Sequence, residues 1–524
     1  MAKLYEYQGK ELLEKGGIPI PKGRRAKTVE EAKGFAAEIG KPVVVKAQAW
    51  VTGRAQAGGV KFAENPVEAE KVAAQILGIN LKGFKVREVL VEEKLDIDRE
   101  FYVGMIIDDV NKCPVVIFSS VGGTGIEEIA SKFPDKVVKF PVDVAAGLRG
   151  YQAKDILRKL EVSGDLQTAL SDLLVRFFQV CKKNEARSAE INPLVLTREG
   201  KLVAADCHMV VDDYAVFRHP ELGIEIAREF DRPPTDLEKV AYRVEAKDHR
   251  GTFYFLQMEQ EFKPRSGYIG FHGAGGGGSM MSMDALLSQG FKIANYCDAS
   301  GNPSASKVYR AARIILSQGN IDGYFASGSG VASQEQFHSA RGLVKAFREV
   351  DPAIPAVIRI GGNSEELAIE ILQTYTKGLS CKMEAYGRDT SAVFCAKRLR
   401  ALIDAWDYSR KGSSRIVQGG ANPSSYQFDT LTGKLLIGHE KCQSCEKKPC
   451  VESCTAKILK FDDQGMPILN VTPQEAKKGR CTECLACELV CQFHGNKGIS
   501  IDLPIPGLND LKRLGASFVV TDKT

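Results

Sequence analysis

Eight cysteines lie between Cys442 and Cys491, and their spacing constrains this chain more than any other feature. The first run reads Cys442-x2-Cys445-x4-Cys450-x3-Cys454 and the second reads Cys481-x2-Cys484-x2-Cys487-x3-Cys491. Thiolates packed this densely call for a soft metal. The second run has the spacing that wraps three cysteines around an iron–sulfur cube and sends the fourth elsewhere. Two zinc sites are an alternative, because paired C-x2-C units bind zinc, although zinc sites rarely carry a third and a fourth cysteine at this spacing. Disulfides are a weaker alternative, since nothing in the sequence suggests export.

The rest of the chain has ordinary globular composition. Its 524 residues predict about three or four domains, and a 44% hydrophobic content builds a core easily. No run of roughly 18 apolar residues occurs, so no membrane span is expected. Met1-Ala2-Lys3-Leu4-Tyr5-Glu6 has no apolar signal region, and a cytoplasmic location is expected. Six further cysteines (Cys113, Cys181, Cys207, Cys297, Cys381, Cys395) fit a reducing compartment as small core residues. A net charge of +5 is nearly neutral at this length and gives no support for nucleic-acid binding. Acidic ligands such as nucleotides and CoA need only local basic patches.

In chain order, residues 5–15 predict a helix, and Thr28 with Glu31 fits a capping box opening a second helix through Ile39. Pro42-Val43-Val44-Val45-Lys46 is a short buried strand, followed by the glycine-rich, basic stretch Gln48 to Lys61. There Lys46, Arg54 and Lys61 supply charge, and glycines such as Gly53 let backbone amides approach phosphate. Strands follow at 89–93, 99–108 and 115–119, and a helix at 166–183. A hairpin over 188–206 carries Glu190, Asn192 and Asp206, hard oxygen ligands that suit magnesium with nucleotide phosphates.

Residues 1 to about 235 resemble the ATP-grasp half of the β subunit of ADP-forming succinyl-CoA synthetase. The resemblance rests on Tyr5-Glu6-Tyr7-Gln8-Gly9-Lys10, Val44-Val45-Lys46, Gly53-Arg54, Ala57-Gly58-Gly59-Val60-Lys61, Leu90-Val91-Glu92, Glu190-Ile191-Asn192-Pro193-Leu194 and Asp206. It implies that Lys46, Gly53 and Arg54 contact ATP phosphates, that Glu92 and Glu100 sit at the nucleoside, and that Asn192 and Asp206 hold Mg2+. It puts Glu190 beside the transferred phosphoryl group. The family's Gly-Gly-Val-Glu-Ile-Glu segment is Gly122-Gly123-Thr124-Gly125-Ile126-Glu127 here, without the first glutamate.

A polar segment, 231–251, bridges to the next region. Gly273-Ala274-Gly275-Gly276-Gly277-Gly278 follows a strand, and Asp298 lies twenty residues on, so a dinucleotide fingerprint is formally available. The strand–loop–helix pattern recurs at 323–334 and 356–364, however, which describes an open α/β sheet with an anion site at its crest. Residues 267–405 resemble the CoA-ligase domain of the same subunit and of ATP-citrate lyase, through Ala294-Asn295-Tyr296, Ser300-Gly301, Pro303-Ser304, Arg359, Gly361-Gly362 and Thr390. The resemblance implies that the loop at 327–334, with Gly328, Ser329 and Gly330, begins a helix facing phosphohistidine and the acyl substrate. Ile360 stands where the citrate type has a second arginine, so a small carboxylic acid other than a tricarboxylate is expected. None of the seven histidines (His208, His219, His249, His272, His338, His439, His494) sits in a Gly-His-Ala-Gly-like loop. The resemblance assigns that histidine, and most of the CoA site, to a separate α subunit.

The cysteine stretch resembles a two-cluster bacterial ferredoxin. On that pattern Cys442, Cys445, Cys450 and Cys491 hold one [4Fe–4S] cluster, and Cys481, Cys484, Cys487 and Cys454 hold the other. Thr455 and Gln492 replace the prolines usual after each fourth cysteine. Residues 411–524 carry 15 Lys+Arg against 12 Asp+Glu, a net of +3, unlike the acidic free ferredoxins and more consistent with a permanently docked module. The expected chain is an α/β and α+β multidomain protein. An ATP-grasp domain spans 1–240, and a flavodoxin-like CoA-ligase domain with a parallel sheet spans 250–408. A linker occupies 409–429, and a small ferredoxin-like 2[4Fe–4S] domain with a C-terminal tail spans 430–524. The expected activity is the β half of an ADP-forming acyl-CoA synthetase, with a ferredoxin-linked oxidoreductase as a second partner. The alternative is an electron-transfer subunit that retains a ligase scaffold.

Overall fold

The strand Val43–Ala47 is buried at every position, and it is the centre of a four-stranded antiparallel sheet in the order 23–26, 89–93, 43–47, 60–63. In this computed structural model the described residues are 2–51, 53–123, 125–226, 232–248, 251–328, 330, 332–409 and 426–515. They fall into two units, Met1–Pro234 and Thr235–Thr524. The small sheet is covered by helices Val29–Ile39 and Pro66–Ile76, which meet it through Ala32, Ala36, Ala69 and Ala73. Alanines one turn apart on both helices allow close approach. Both helices start on side-chain caps: Thr28 accepts from Glu31 N at 3.2 Å, and Asn65 accepts from Glu68 N at 2.9 Å.

A second, larger antiparallel sheet in the first unit is built on the long strands Ile97–Asp108 and Ala186–Thr197. The helix Gly164–Lys183 lays Leu170, Leu173, Leu174, Phe177 and Phe178 on it, against Phe101, Val103, Phe118 and Ile191. Register places Glu190 opposite Gly104 and Val195 opposite Glu100, and the ladder shifts between Ile191 and Leu194. Asp206 was expected on a strand. It lies instead in the connection between Leu202–Ala204 and His208–Val211.

In the second unit the stretch read as a polar bridge forms the helix Asp236–Glu245, capped by Thr235. Five parallel strands follow, with an antiparallel edge strand at Tyr254–Gln257. Numbered along the chain, the parallel strands 268–274, 292–298, 323–328, 355–359 and 382–386 pair in the order 2-1-3-4-5. This is the flavodoxin-like order, whose switch point lies between the first and third strands. Asp298, the residue a dinucleotide reading would use, accepts from Gly275 N and Ser300 N, both at 2.9 Å. It braces the glycine loop.

The cysteine-rich segment packs on the same unit. Strands Tyr426–Asp429, Lys434–Ile437 and Ile499–Asp502 form a small antiparallel sheet, beside a hairpin at 459–461 and 467–469. The first strand begins inside the stretch read as linker, and residues 410–425 of that linker lie outside the described residues. Leu435, Ile437, Ile499 and Ile501 join one core with Val344, Leu343 and Leu372 of the parallel-sheet domain. Arg310 donates to Thr432 O at 3.0 Å and Pro504 O at 3.2 Å. Among the described residues no helix is long and apolar enough to cross a membrane.

Candidate functional site

Lys46 points into the first unit rather than into solvent, and a buried ammonium needs partners. It lies 2.9 Å from Glu6, 2.9 Å from Glu92 and 2.6 Å from Ala205 O. Lys10, one turn after Glu6 on the helix Glu6–Lys15, reaches Glu92 at 2.6 Å and Glu6 at 2.8 Å. Arg54 bridges Glu6 at 2.7 Å and both oxygens of Asp206 at 2.9 and 3.0 Å. Three cations and three carboxylates thus form one nearly buried network. Burial opposes ionisation of Glu6, but Lys10, Lys46 and Arg54 outweigh it and hold the carboxyl well below its ordinary value. Burial likewise opposes the charge of Lys46, and Glu6, Glu92 and Asp206 reverse that and raise it.

Four residues picked out by sequence, Lys46, Arg54, Glu92 and Asp206, are therefore brought together. Glu6 and Lys10 were not assigned a role by sequence reasoning. Their signal was two opposite charges four residues apart in a helix whose next turn, Leu12 and Leu13, is core. Gly53, in the left-handed region at φ 69°, is exposed.

The remaining carboxylates form a neighbouring group. Asn192 Oδ1 accepts from Gly123 N at 3.0 Å. Gly123 has φ +81°, a left-handed conformation that favours glycine, and its Cα faces the Glu100 carboxylate. Burial, with the Glu190 carboxylate hydrogen-bonded beside it, raises the Tyr102 hydroxyl, and Glu127 adds to this. Glu100, Tyr102, Glu190 and Asn192 are thus neighbours on the two long paired strands.

In the second unit a pocket opens at the switch point. Its walls include His272 and Ala274 from the first parallel strand, Ser327, Gly328 and Gly330 at the end of the third, and Arg359 and Gly361 at the end of the fourth. Gly328, expected in the loop, ends the third strand, Gly330 follows it, and Ser329 lies outside the described residues. The helix expected directly after the 327–334 loop begins at Phe337, and its first turns add Gln336, Ser339 and Leu343 to the wall. Arg359 does not present a free fork. Its guanidinium donates to Thr390 O, Gly328 O and Arg388 O at 2.5, 2.8 and 3.1 Å, tying three loops together. His272 was overlooked as a pocket residue. Burial pushes it down to about 4, so it is a neutral imidazole at neutral pH, paired with Tyr324 Oη at 2.5 Å.

In the cysteine-rich segment the thiols group across the two runs. Cys491 neighbours Cys442, Cys445 and Cys450, while Cys454 and Cys484 neighbour Cys481 and Cys487. Cys491 Sγ accepts from Gly498 N and Ile499 N, both at 3.2 Å. A Cβ on Gly498 would stand 3.1 Å from Cys442 Sγ, so the chain turns closely around this group. Burial pushes the Cys442 thiol up to about 11 and those of Cys450 and Cys481 to about 12. Among the described residues no three His, Cys, Asp or Glu side chains converge as ligands of a single metal ion do. A cube spreads its four thiolates over separate corners.

A family model of the ATP-grasp domain matches residues 3–196, and one described as the citrate-binding domain of ATP citrate lyase matches residues 262–398. The solved ATP citrate lyase of Methanothrix soehngenii, in complex with citrate and coenzyme A, superposes with a TM-score of 0.62 at 19% identity, covering 76% of this chain and 99% of that one. Fold and site together define an ATP-grasp ligase chain. The β subunit of the GDP-forming succinate–CoA ligase of Thermus thermophilus is 38% identical, covering 71% of this chain and 93% of that protein. The ADP-forming β subunit of Staphylothermus marinus is 34% identical, covering 76% and 99%. The chain belongs to the succinate–CoA ligase β-subunit family and is an acid–CoA ligase of the ADP-forming type.

Proposed function

We propose that the chain is the nucleotide-handling β half of a ligase that converts a carboxylic acid, CoA and ATP to acyl-CoA, ADP and phosphate. The transferred phosphoryl group passes through a histidine on a separate α chain. The observation that carries this reading is the joining of Lys46, Arg54, Glu92 and Asp206 in one buried network, with the segment before Asp206 bonded to the one after Asn192 through Ala205 N and Pro193 O at 3.1 Å. Lys46 and Arg54, with the Gly53 backbone, neutralise ATP phosphates; Glu92 and Glu100 face the nucleoside. Asn192 and Asp206 hold Mg2+, which screens the phosphate oxygens when bound. Glu190, hydrogen-bonded to Tyr102, sits beside the phosphoryl group in transit. The protein's own contribution is positioning and charge stabilisation. Gly328 and Gly330 border the acyl pocket, where Ile360 leaves no second guanidinium for a third carboxylate, and Ser329 is assigned to the same acyl-binding loop on the family resemblance alone. CoA is bound mainly by the α partner. Reconstituting the chain with the α subunit, ATP, CoA and a panel of acids tests this reading, and an acyl-CoA product in the absence of the α chain would refute it.

The second part of the reading concerns the thiols. Cys442, Cys445, Cys450 and Cys491 fit one [4Fe–4S] cluster, and Cys454, Cys481, Cys484 and Cys487 a second, as ferredoxin-like domains do. What supports this is the grouping across the two runs and the two backbone N–H donors on Cys491 Sγ. Such clusters supply one-electron transfer, and a ferredoxin-linked oxidoreductase is the class of partner that would use it. An electron-transfer subunit retaining a ligase scaffold is the competing reading, and it is favoured if acyl-CoA formation fails with every acid while the clusters reduce reversibly.

A further inference from the structure

The helix Phe337–Val350 has two working faces. Ser339 and Leu343 line the acyl pocket. Arg341, Lys345 and Arg348, spaced as one stripe along the other side, meet the cysteine-bearing helix Ala486–His494. Lys345 Nζ lies 2.7 Å from Glu488, and the Arg348 guanidinium lies 4.6 Å from the Phe493 ring. Tyr375, from the next helix, packs its ring at a tilt on Phe493 with centroids 4.2 Å apart and bonds His494 at 2.9 Å. The interface is thus fixed at several points, and Arg341 sits one turn before Lys345 within it.

Arg341 is the unusual member of the stripe. Its guanidinium is held over the Phe337 ring at 4.6 Å. The ionisable neighbours that face it are Cys484, Cys487 and Tyr375. Its Nη1 is buried and donates to no acceptor. A buried charged donor left unsatisfied is costly, and native proteins leave few without a reason. An anionic sulfur next to the guanidinium would supply the acceptor and the countercharge together.

We propose that Arg341 is a positioning residue for the cluster held by Cys454, Cys481, Cys484 and Cys487: its N–H, which no acceptor satisfies in the protein alone, is satisfied by a sulfur of the bound cluster, so that the ligase domain sets that cluster's reduction potential. The proposal rests on the cluster reading above. Reduction adds one electron to the cube and breaks no bond. The added negative charge is stabilised by a fixed neighbouring cation, and hydrogen bonds to cluster sulfur raise the potential in the same direction. The cluster held by Cys442, Cys445, Cys450 and Cys491 provides an internal reference within the same molecule.

The test is an EPR-monitored redox titration with dithionite on the anaerobically purified full chain, wild type and Arg341→Gln, after iron and sulfide analysis of both. The variant is expected to lower the reduction equilibrium of one cluster about tenfold, which is about 59 mV for one electron, and to leave the other cluster unmoved. Unchanged potentials in a variant with full iron content would overturn the proposal. If the variant loses its cluster, wild-type protein labelled with 15N in the arginine guanidinium groups decides instead. A 15N coupling in the hyperfine spectrum of one reduced cluster supports the contact, and its absence overturns it. Wild-type protein without iron sinks the cluster reading itself, and the assay reveals this before any potential is measured.

Discussion

Arg54 Nη2 lies 2.9 and 3.0 Å from the two carboxylate oxygens of Asp206, one nitrogen shared between both oxygens of a residue 152 positions away in the chain. The residue read as a magnesium ligand is thereby the counterion of a residue read as a phosphate contact. A charge-assisted guanidinium–carboxylate bond is roughly twice as strong as a neutral one. Loading of magnesium–nucleotide would exchange one partner of this pair for another.

From that pair comes the first prediction. Asp206→Ala is expected to abolish phosphorylation of the α-chain histidine, because it removes an oxygen ligand and leaves the Arg54 guanidinium without its main anion. Labelled ATP and the reconstituted pair measure it. Normal phosphohistidine formation by the variant would remove Asp206 from the site.

Glu6 is fully enclosed by Lys10, Lys46 and Arg54, so Glu6→Gln leaves buried positive charge uncompensated. Breaking a buried pair from one side costs about 3–5 kcal/mol, and denaturant unfolding of the first unit should register a loss of that order. The pH dependence follows from the direction of the shift. A carboxyl held well below its ordinary value of 4.5 contributes stability above that value. That contribution is lost as pH falls from about 4.5 toward the folded value. Wild-type stability is therefore expected to decline below about pH 4.5 more steeply than that of Glu6→Gln. Parallel profiles would show that Glu6 is not charged in the folded chain.

The purified single chain is expected to bind nucleotide yet yield no acyl-CoA. Calorimetry with ATP and a thioester assay, with and without the α subunit, separate the two steps. Failure to bind ATP alone would mean that the buried network is closed to phosphate until the partner docks.

Two cubes require about eight iron and eight sulfide per chain. Gly498→Val is expected to halve both, because the new side chain would enter the space beside Cys442 Sγ while the Cys454 group is untouched. Anaerobic metal analysis reads this directly. Full iron in the variant would break the link between Gly498 and the first cluster, and zinc in place of iron in the wild type would refute the cluster assignment.

Much of this protein was legible locally. The helix Val29–Ile39 starts at its Thr28 cap, and the helix expected over 166–183 spans Gly164–Lys183. These depend on capping and periodicity, which act within a few residues. The cysteine spacing is equally local, and it keeps Cys481, Cys484 and Cys487 neighbours. Other features were beyond reach for a definite reason. Glu6 and Lys10 look like a solvated helix pair until the chain brings Lys46, Arg54 and Glu92 around them. Only then does burial make six charges one unit.

The sequence by itself determined the kinds of element, the spacing of the two cysteine runs and the family resemblance of both ligase halves, because each is written in residues close together or in motifs met in order. Only the tertiary structure decided that Asp206 pairs with Arg54, that Arg359 is consumed by three carbonyls, and that the cysteine module shares a core with the ligase domain and sets Arg341 against its thiols. These are contacts between segments far apart in the chain, where the cost of burying a charge or leaving a donor unpaired depends on what else has folded around it.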